Sequence, residues 1–405
     1  MSWVEGKIGD FVEIKHGFAF KSEFFTDEGE LVVLTPGNCH ERGGFRSKGE
    51  KEKFYRGPVP DGYLLEEGEL VVVMTDLVST APVLGGAFTI PEGNRFLHNQ
   101  RLGLIEVTDP SRIDKRFLYH LLNTNGYRAQ VRGSASGATV RHTAPGRIKE
   151  CRVRYPRDIR VQAKVADILS AYDDLIENNR RRIALLEEAA RLLYREWFVH
   201  FRFPGHEHVP LTDGLPEGWE RRTLGDVVYV VKDTVRPADF AEDDIHIGLE
   251  HIPRRSFTLA DWEPAADLAS GKTRFGEGDI LFCKIRPYFH KSGFTLRTGL
   301  ASSDAIVWRV KDSEDWPLVV CATSSDHFIA VASKTVREGS KMPRADEKVL
   351  KGYLIPKPTE GLLSVFNDTI LPITQQCKTL ALQNRALAQA RDILLPRLMN
   401  GEITV

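Results

Sequence analysis

Two stretches of the chain carry short apolar runs separated by polar, glycine-containing loops. Each stretch gives way to a segment whose apolar residues recur at steps of three and four. The short runs predict strands. In the first stretch these are Val32-Val33-Leu34, Leu70–Val73 and Leu102-Gly103-Leu104-Ile105; in the second they are residues 227–231, Ile280-Leu281-Phe282 and Ala305-Ile306-Val307-Trp308. Phe117-Leu118-Tyr119-His120-Leu121-Leu122 and residues 318–322 predict one short helix in each stretch. The three-and-four stepping marks a helix lying along another helix. It runs through Val165, Leu169, Tyr172, Ile176, Asn179, Ile183, Leu186, Ala190, Leu193 and Trp197 in one segment. In the other it runs through Phe366, Ile370, Ile373, Cys377, Leu380, Asn384, Leu387, Arg391 and Leu394. Asn179 is a polar residue on the first seam, a device that fixes register at some cost in stability. The first helix is expected from near Val161 to about His200, about 38 residues or about 57 Å at ~1.5 Å per residue. In the second, Pro372 predicts a kink or a late start, with an end near Leu395-Pro396.

The same landmarks occur twice in the same order. Trp3-x5-Gly9-Asp10 matches Trp219-x5-Gly225-Asp226, and Glu67-Gly68-Glu69-Leu70 matches Glu277-Gly278-Asp279-Ile280. Ser136-Gly137-Ala138-Thr139-Val140-Arg141 matches Glu338-Gly339-Ser340-Lys341-Met342-Pro343-Arg344. A strand ending at proline follows each of these loops, over residues 151–156 and 352–358, and then comes a long helix. The expected architecture is α+β: two tandem α/β domains of one fold joined by two long antiparallel, coiled-coil-like helices with a pseudo-twofold relation. The expected boundaries are 1–160 for the first domain, 161–204 for the central helix, 205–360 for the second domain and 361–405 for the last helix.

Composition narrows the class. A 405-residue chain with 42% hydrophobic and 27% charged residues can bury ordinary cores. Its formal net charge is −1, so any affinity for nucleic acid must come from local patches. Five scattered cysteines without a Cys-x-x-Cys pair predict neither a disulfide framework nor a zinc ribbon. With no apolar signal core at the start and no apolar run of membrane length, a cytoplasmic protein without a membrane span is expected.

Basic residues gather in the loops after Gly137 and Gly339. Glycine and serine backbone flanked by Arg and Lys suits close approach to phosphates, and Arg can fork onto guanine edges. The candidates for DNA contact are Arg132, Ser136, Thr139, Arg141 and His142 in the first copy, with Lys15, His16, Asn99 and Arg101 on neighbouring loops. In the second copy they are Lys284, Arg286, Tyr288, Lys341 and Arg344. A base contact, a phosphate contact and an ordinary polar loop role all remain open for each. Signs of chemistry are absent. There is no phosphate-binding glycine loop, no methyltransferase Asp/Asn-Pro-Pro-aromatic segment and no nucleophile context. Asp10, Glu13 and Lys15 are too compressed for a nuclease site and have no counterpart in the second copy. His200, His206 and His208 read as a polar linker, so no metal site is expected.

Three motifs carry a family resemblance: Leu215-Pro216-Glu217-Gly218-Trp219 with Leu224-Gly225-Asp226; Trp197-Phe198-Val199-His200-Phe201; and Arg391-Asp392-Ile393-Leu394-Leu395-Pro396-Arg397-Leu398-Met399-Asn400-Gly401-Glu402-Ile403. With them the chain resembles the specificity subunit of type I restriction-modification enzymes over essentially its whole length. Asn400, where the family often has Ser, and Pro372 are its departures. The resemblance implies two target-recognition domains that read the halves of a split site in double-stranded DNA, with the helices as spacer. It implies two modification subunits docked on those helices and a restriction/translocase subunit. S-adenosylmethionine, ATP and Mg²⁺ would belong to those partners, and this chain would be non-catalytic. The spacer or docking candidates are Tyr172, Ile176, Asn179, Ile183, Leu186, Leu193, Trp197, Leu380, Asn384, Leu387 and Leu394. A stand-alone DNA-modifying enzyme and an interaction scaffold that does not bind DNA are the alternatives.

Overall fold

In each half, the first and last strands of an α/β unit pair with each other before the chain enters a long helix. The computed structural model describes residues 2–335 and 342–405. Trp3–Lys7 runs antiparallel to Arg152–Pro156, and Glu220–Thr223 runs antiparallel to Leu354–Lys357. The Gly-Asp landmark follows the first strand of each pair and closes a short helical turn. Asp10 accepts the Lys7 N–H at 2.8 Å, and Asp226 accepts the Thr223 N–H at 2.9 Å. The next N–H reaches across to the end of the copy, from Ile8 to the Cys151 carbonyl at 3.0 Å and from Leu224 to the Tyr353 carbonyl at 2.8 Å.

The duplication extends to strand order. One antiparallel sheet of the first copy runs Val12–His16, Leu102–Val107, Leu70–Val73, Ala87–Thr89. Its counterpart runs Val228–Val230, Ala305–Val310, Ile280–Cys283, Ser292–Thr295, and adds the edge strand Thr258–Leu259 in parallel. Each copy has a second sheet built around a parallel pair, Leu31–Val33 with Phe96–Leu97 and Ile245–Ile247 with Gly299–Ala301. The central strands Leu70–Val73 and Ile280–Cys283 are buried along their whole length, which is why they read as unbroken apolar runs. The two short helices expected from sequence are Lys115–Leu122 and Trp316–Thr323. The expected strand over 227–231 is shorter, Val228–Val230, because Val227 closes the turn Leu224–Val227, capped by the Thr223 hydroxyl and Asp226.

The central helix spans Ile159–Tyr194 and ends in a π-helical turn, Arg195–Val199; the last helix spans Glu360–Met399. Their lengths are about 54 and 60 Å at ~1.5 Å per residue. Pro372 neither delays the last helix nor ends it. The carbonyl it leaves without an amide partner belongs to Asp368, and both residues are exposed, while Ile370 and Thr374 beside them are buried and hold the helix in place. Nor does Pro396 stop the helix, since Leu398 and Met399 are buried in a core and carry it one turn further.

Two compact units divide the chain. One comprises Met1–Asp174 and Ala388–Val405, the other Leu175–Leu387. In the first, Val165, Leu169, Leu398 and Met399 share the apolar core of the first copy. Arg391 bonds Asp173 at 2.5 Å, and His120 on a short helix meets Ser170 at 3.2 Å. In the second, the Asn384 amide donates to the Ile176 carbonyl at 3.2 Å, and Trp197 and Phe198 pack on Phe366 with centroids 5.7 and 4.8 Å apart. The helical segments within this unit therefore run antiparallel. Every predicted seam residue is buried or half-buried.

The sequence pattern missed Glu187, whose side chain is only 3% exposed. Its Oε1 accepts from Ser256 Oγ, Phe257 N, Thr258 N and Thr258 Oγ1 at 2.7–3.2 Å, and Arg191 stands one turn away. Burial raises its carboxyl above the usual range, against the pull of those donors and Arg191. Glu187→Ala leaves two buried amides without an acceptor, and unfolding in urea should show a loss of about 2–4 kcal/mol.

Acid should weaken the first unit. Burial pushes His98 down to about 4 and His120 to about 3. Both rings stay neutral when folded but protonate near pH 6.5 when unfolded. The stability they contribute is therefore complete above pH 6.5 and is lost as pH falls toward 4. From pH 7 to 5 each should remove about 2 kcal/mol. Urea titrations at the two pH values check this, and His98→Gln should reduce the difference.

Candidate nucleic-acid interface

At one end of the first copy's antiparallel sheet, His16 pairs with Gly103, and Leu102 pairs with Val73. The turn at 98–101 therefore lies between the end of one strand and the start of another. Gly17 crosses it so closely that an added Cβ would sit 2.0 Å from the Asn99 carbonyl oxygen. His98 is buried beneath this turn, its Nε2 2.9 Å from the Leu102 carbonyl, so it supports the turn rather than facing outward. Asn99 accepts the Arg101 N–H through its side chain at 3.0 Å. Lys15 donates to the Gly62 carbonyl at 2.8 Å and lies 4.7 Å from the centre of the Tyr63 ring, a cation–π contact that steadies its ammonium.

From the same sheet end the chain builds an outer ribbon. Thr75–Asp76 pairs antiparallel with Arg141–His142, and the amides of Met74 and Thr143 bond the carbonyls of Arg101 and Met74, each at 2.9 Å. Arg101 and the Arg141 loop are thus joined through one residue, Met74. Within the loop, Ser136 and His142 exchange two backbone hydrogen bonds of 2.9 and 2.8 Å. Gly137 makes the bend with φ of +91°, and a Cβ there would lie 2.0 Å from the Val140 carbonyl oxygen. Thr139 and His142 are exposed, and the Arg132 carbonyl receives the Arg141 guanidinium at 2.9 Å. His142 Nδ1 is 3.0 Å from Thr75 Oγ1. Arg147 donates to the Ser134 carbonyl at 2.7 Å.

Among the described residues, none of the ion pairs involves Arg101, Arg132, Arg141 or Arg147. Their charges face solvent or backbone oxygen. Lys149, from the same basic stretch, is instead neutralised by Glu13 at 2.7 Å. Backbone hydrogen bonds thus tie the Arg101 turn to the Arg141 loop, and Lys15 lies on the adjoining strand Val12–His16.

The second copy repeats the wiring with different side chains. Ala345 N bonds the Lys284 carbonyl at 2.8 Å, Lys284 N bonds the Asp304 carbonyl at 3.1 Å, and Ile285 bridges Arg344. Asp304 thus stands where the first copy has Arg101. Its carboxylate holds Arg344 at 3.0 Å, so that cation is already paired. Lys284 donates to the Ser303 carbonyl at 2.6 Å. Arg286 adopts a left-handed conformation (φ 49°) and is exposed beside Tyr288, which is 53% exposed. The guanidiniums of Arg254 and Arg286 lie 3.8 and 5.8 Å from the Phe289 ring centre. Lys341 lies outside the described residues.

Thr75, Asp76, Arg254, Phe289 and Asp304 are members of these loop clusters that sequence reasoning overlooked. Asp76 shapes its loop by accepting the amides of Val78 and Val83 at 3.0 and 2.8 Å. Aligning Ser302-Ser303-Asp304 with His98-Asn99-Gln100-Arg101 between the copies would have revealed Asp304. No comparable signal marks Arg254. The loops offer hydrogen-bond donors, cations and aromatic faces, which suit recognition of phosphates and bases.

Among described residues no helix is long and apolar enough to cross a membrane. Comparison with known proteins converges on one group. Residues 1–188 match the type I restriction modification DNA specificity domain. The MjaIX specificity subunit of Methanocaldococcus jannaschii is 24% identical over 81% of this chain and 77% of its own length. The HindI specificity subunit of Haemophilus influenzae is 24% identical over 71% and 77%. The EcoBI specificity subunit of Escherichia coli is 26% identical over 62% and 52%. The fold is also that of a crystal structure of the type I restriction-modification S subunit from M. genitalium, with a TM-score of 0.60, 15% identity, and coverage of 98% of this chain and 96% of that one. With a match to the specificity domain at its start and the same fold repeated behind it, the chain is similar over most of its length to the specificity subunits of type I restriction-modification enzymes.

Proposed function

We propose that each α/β copy reads one half of a split DNA target through the loop cluster at its sheet end, and that the two long helices set the spacing between the halves. The observation that carries this reading is the repeated wiring: both copies extend the same sheet end with a loop rich in cations while their side chains differ. One frame with two chemistries is what two different half-sites require. Arg101, Arg132 and Arg141 in the first copy supply unpaired cations for phosphates or guanine edges. In the second, the Asp304 carboxylate can accept from a cytosine amino group, and Arg286 and Tyr288 present a guanidinium and an exposed ring.

On this reading the chain recognises and does not catalyse. Two modification subunits dock on the helices, with S-adenosylmethionine bound to them, and a restriction/translocase subunit supplies ATP hydrolysis and Mg²⁺ chemistry. The chain works in the cytoplasm, where the genomic DNA of a bacterium or archaeon lies. A net charge of −1 suits a reader that meets DNA inside a larger complex, where partners contribute to the clamp.

Exchanging residues 1–160 for the corresponding part of another specificity subunit tests the reading. Methylation mapping of the assembled complex should show one half-site changed and the other kept; a change in both, or in neither, rules it out. The cations should also differ in weight. In the assembled complex, Arg141→Ala should weaken DNA binding by about tenfold and shallow the log–log salt slope by ~0.9 if one phosphate contact is lost. Arg344→Ala should do less, because Asp304 already holds that charge. Salt-dependent binding titrations measure both.

A further inference from the structure

The duplicated fold contains its own control for a cluster that recognition does not use. In the first copy, Val32 at the middle of a sheet faces Phe54 on one side and Phe96 on the other, and it is fully buried. The same register position in the second copy is His246, facing Glu263 and Leu300. An apolar cross-strand pair has become an imidazole and a carboxylate, so the fold itself does not demand them. His246 Nδ1 lies 2.9 Å from Glu263 Oε1, and the His246 side chain is 7% exposed. Its Nε2 is buried and has no hydrogen-bond partner, a costly arrangement for a group kept only for packing.

A third donor comes from the turn after this strand. His251 accepts the Gly248 N–H at 3.0 Å through Nδ1, and its own amide bonds the Gly248 carbonyl at 3.1 Å. Its ring stands edge-on to His246, with centroids 6.2 Å apart. One donor atom from each of His246, His251 and Glu263 lies within 4.8 Å of the other two.

We propose that His246, His251 and Glu263 bind a divalent transition-metal ion of the zinc class. Two imidazoles and a carboxylate suit such an ion, with water in the fourth position. Metal–ligand bonds of ~2.0–2.2 Å set tetrahedral ligands roughly 3.4 Å apart. The His246–Glu263 pair therefore opens by a few tenths of an ångström, and the His251 ring turns toward it, giving up the Gly248 N–H that its Nδ1 accepts. With the cation on Nδ1 of His246, the imidazole carries its one proton on Nε2, the nitrogen that otherwise has no partner. Its effect is structural. It ties the edge strand Glu263–Pro264 and the turn at 248–251 to the strand Ile245–Ile247 in the second copy alone.

Calorimetric titration of the chelator-treated full chain with zinc chloride tests the site. One Zn²⁺ per chain is the expected result. His246→Val, which installs the first copy's own residue, should lower affinity by on the order of 100-fold; Glu263→Gln, which preserves shape and hydrogen bonding, should lower it at least ~10-fold. Circular dichroism confirms that each variant is folded, and Glu263→Gln serves if His246→Val is not. Replacing both His206 and His208 by Ala should leave binding intact. The proposal is overturned by absence of stoichiometric binding, by undiminished affinity in a folded Glu263→Gln chain, or by loss of binding in the His206/His208 variant. None of these outcomes bears on DNA recognition, which the domain exchange reads separately.

Discussion

The antiparallel pairing of each copy's first strand with its last is the constraint on which the rest depends. Trp3–Lys7 with Arg152–Pro156, and Glu220–Thr223 with Leu354–Lys357, bring the two ends of about 150 residues side by side. Everything between becomes a closed excursion from the base of a helix. The Asp10 and Asp226 carboxylates lock the turn that follows, and the amides of Ile8 and Leu224 secure it to the last strand. With its ends tied, a copy can vary its loops without disturbing the helix that follows, since a longer surface loop adds only a slowly growing entropic cost.

Within that frame the cores and the loops obey different rules. Strands such as Leu70–Val73 and Ile280–Cys283 are buried on both faces, so apolar side chains are required and the two copies agree. At the sheet ends no core is at stake, and the copies diverge: Arg101 against Asp304, Arg141–His142 against Pro343-Arg344. The backbone hydrogen bonds are nevertheless kept, because an amide ladder needs no particular side chain. This separation lets one fold present two chemically different loop surfaces.

The helices show the reverse balance, with polar groups placed inside. Glu187 gathers four donors from residues 256–258, Asn384 reaches the Ile176 carbonyl, and Arg391 bonds Asp173. Such contacts add less stability than apolar residues of similar size would. They work only in one register, so they fix how the helical segments pair.

Much of the fold was legible in the sequence, and the reason is periodicity. The repeated landmarks, the apolar strands, the short helices and the three-and-four seam all follow from burial, which demands apolar residues at regular intervals. The extent of the last helix was not legible, because whether Pro372 and Pro396 interrupt it depends on what packs beside them. Glu187 was likewise hidden, since a carboxylate on a helix reads as solvent-facing until its donors arrive from residues 256–258. For the candidate interface, residue type and loop position pointed to Lys15, Asn99, Arg101 and Arg141. Only the tertiary structure linked the Arg101 turn to the Arg141 loop through Met74, paired Arg344 with Asp304, and set His246 beside His251 and Glu263. Strand register decides such neighbours across tens of residues, and register leaves no local trace in the chain.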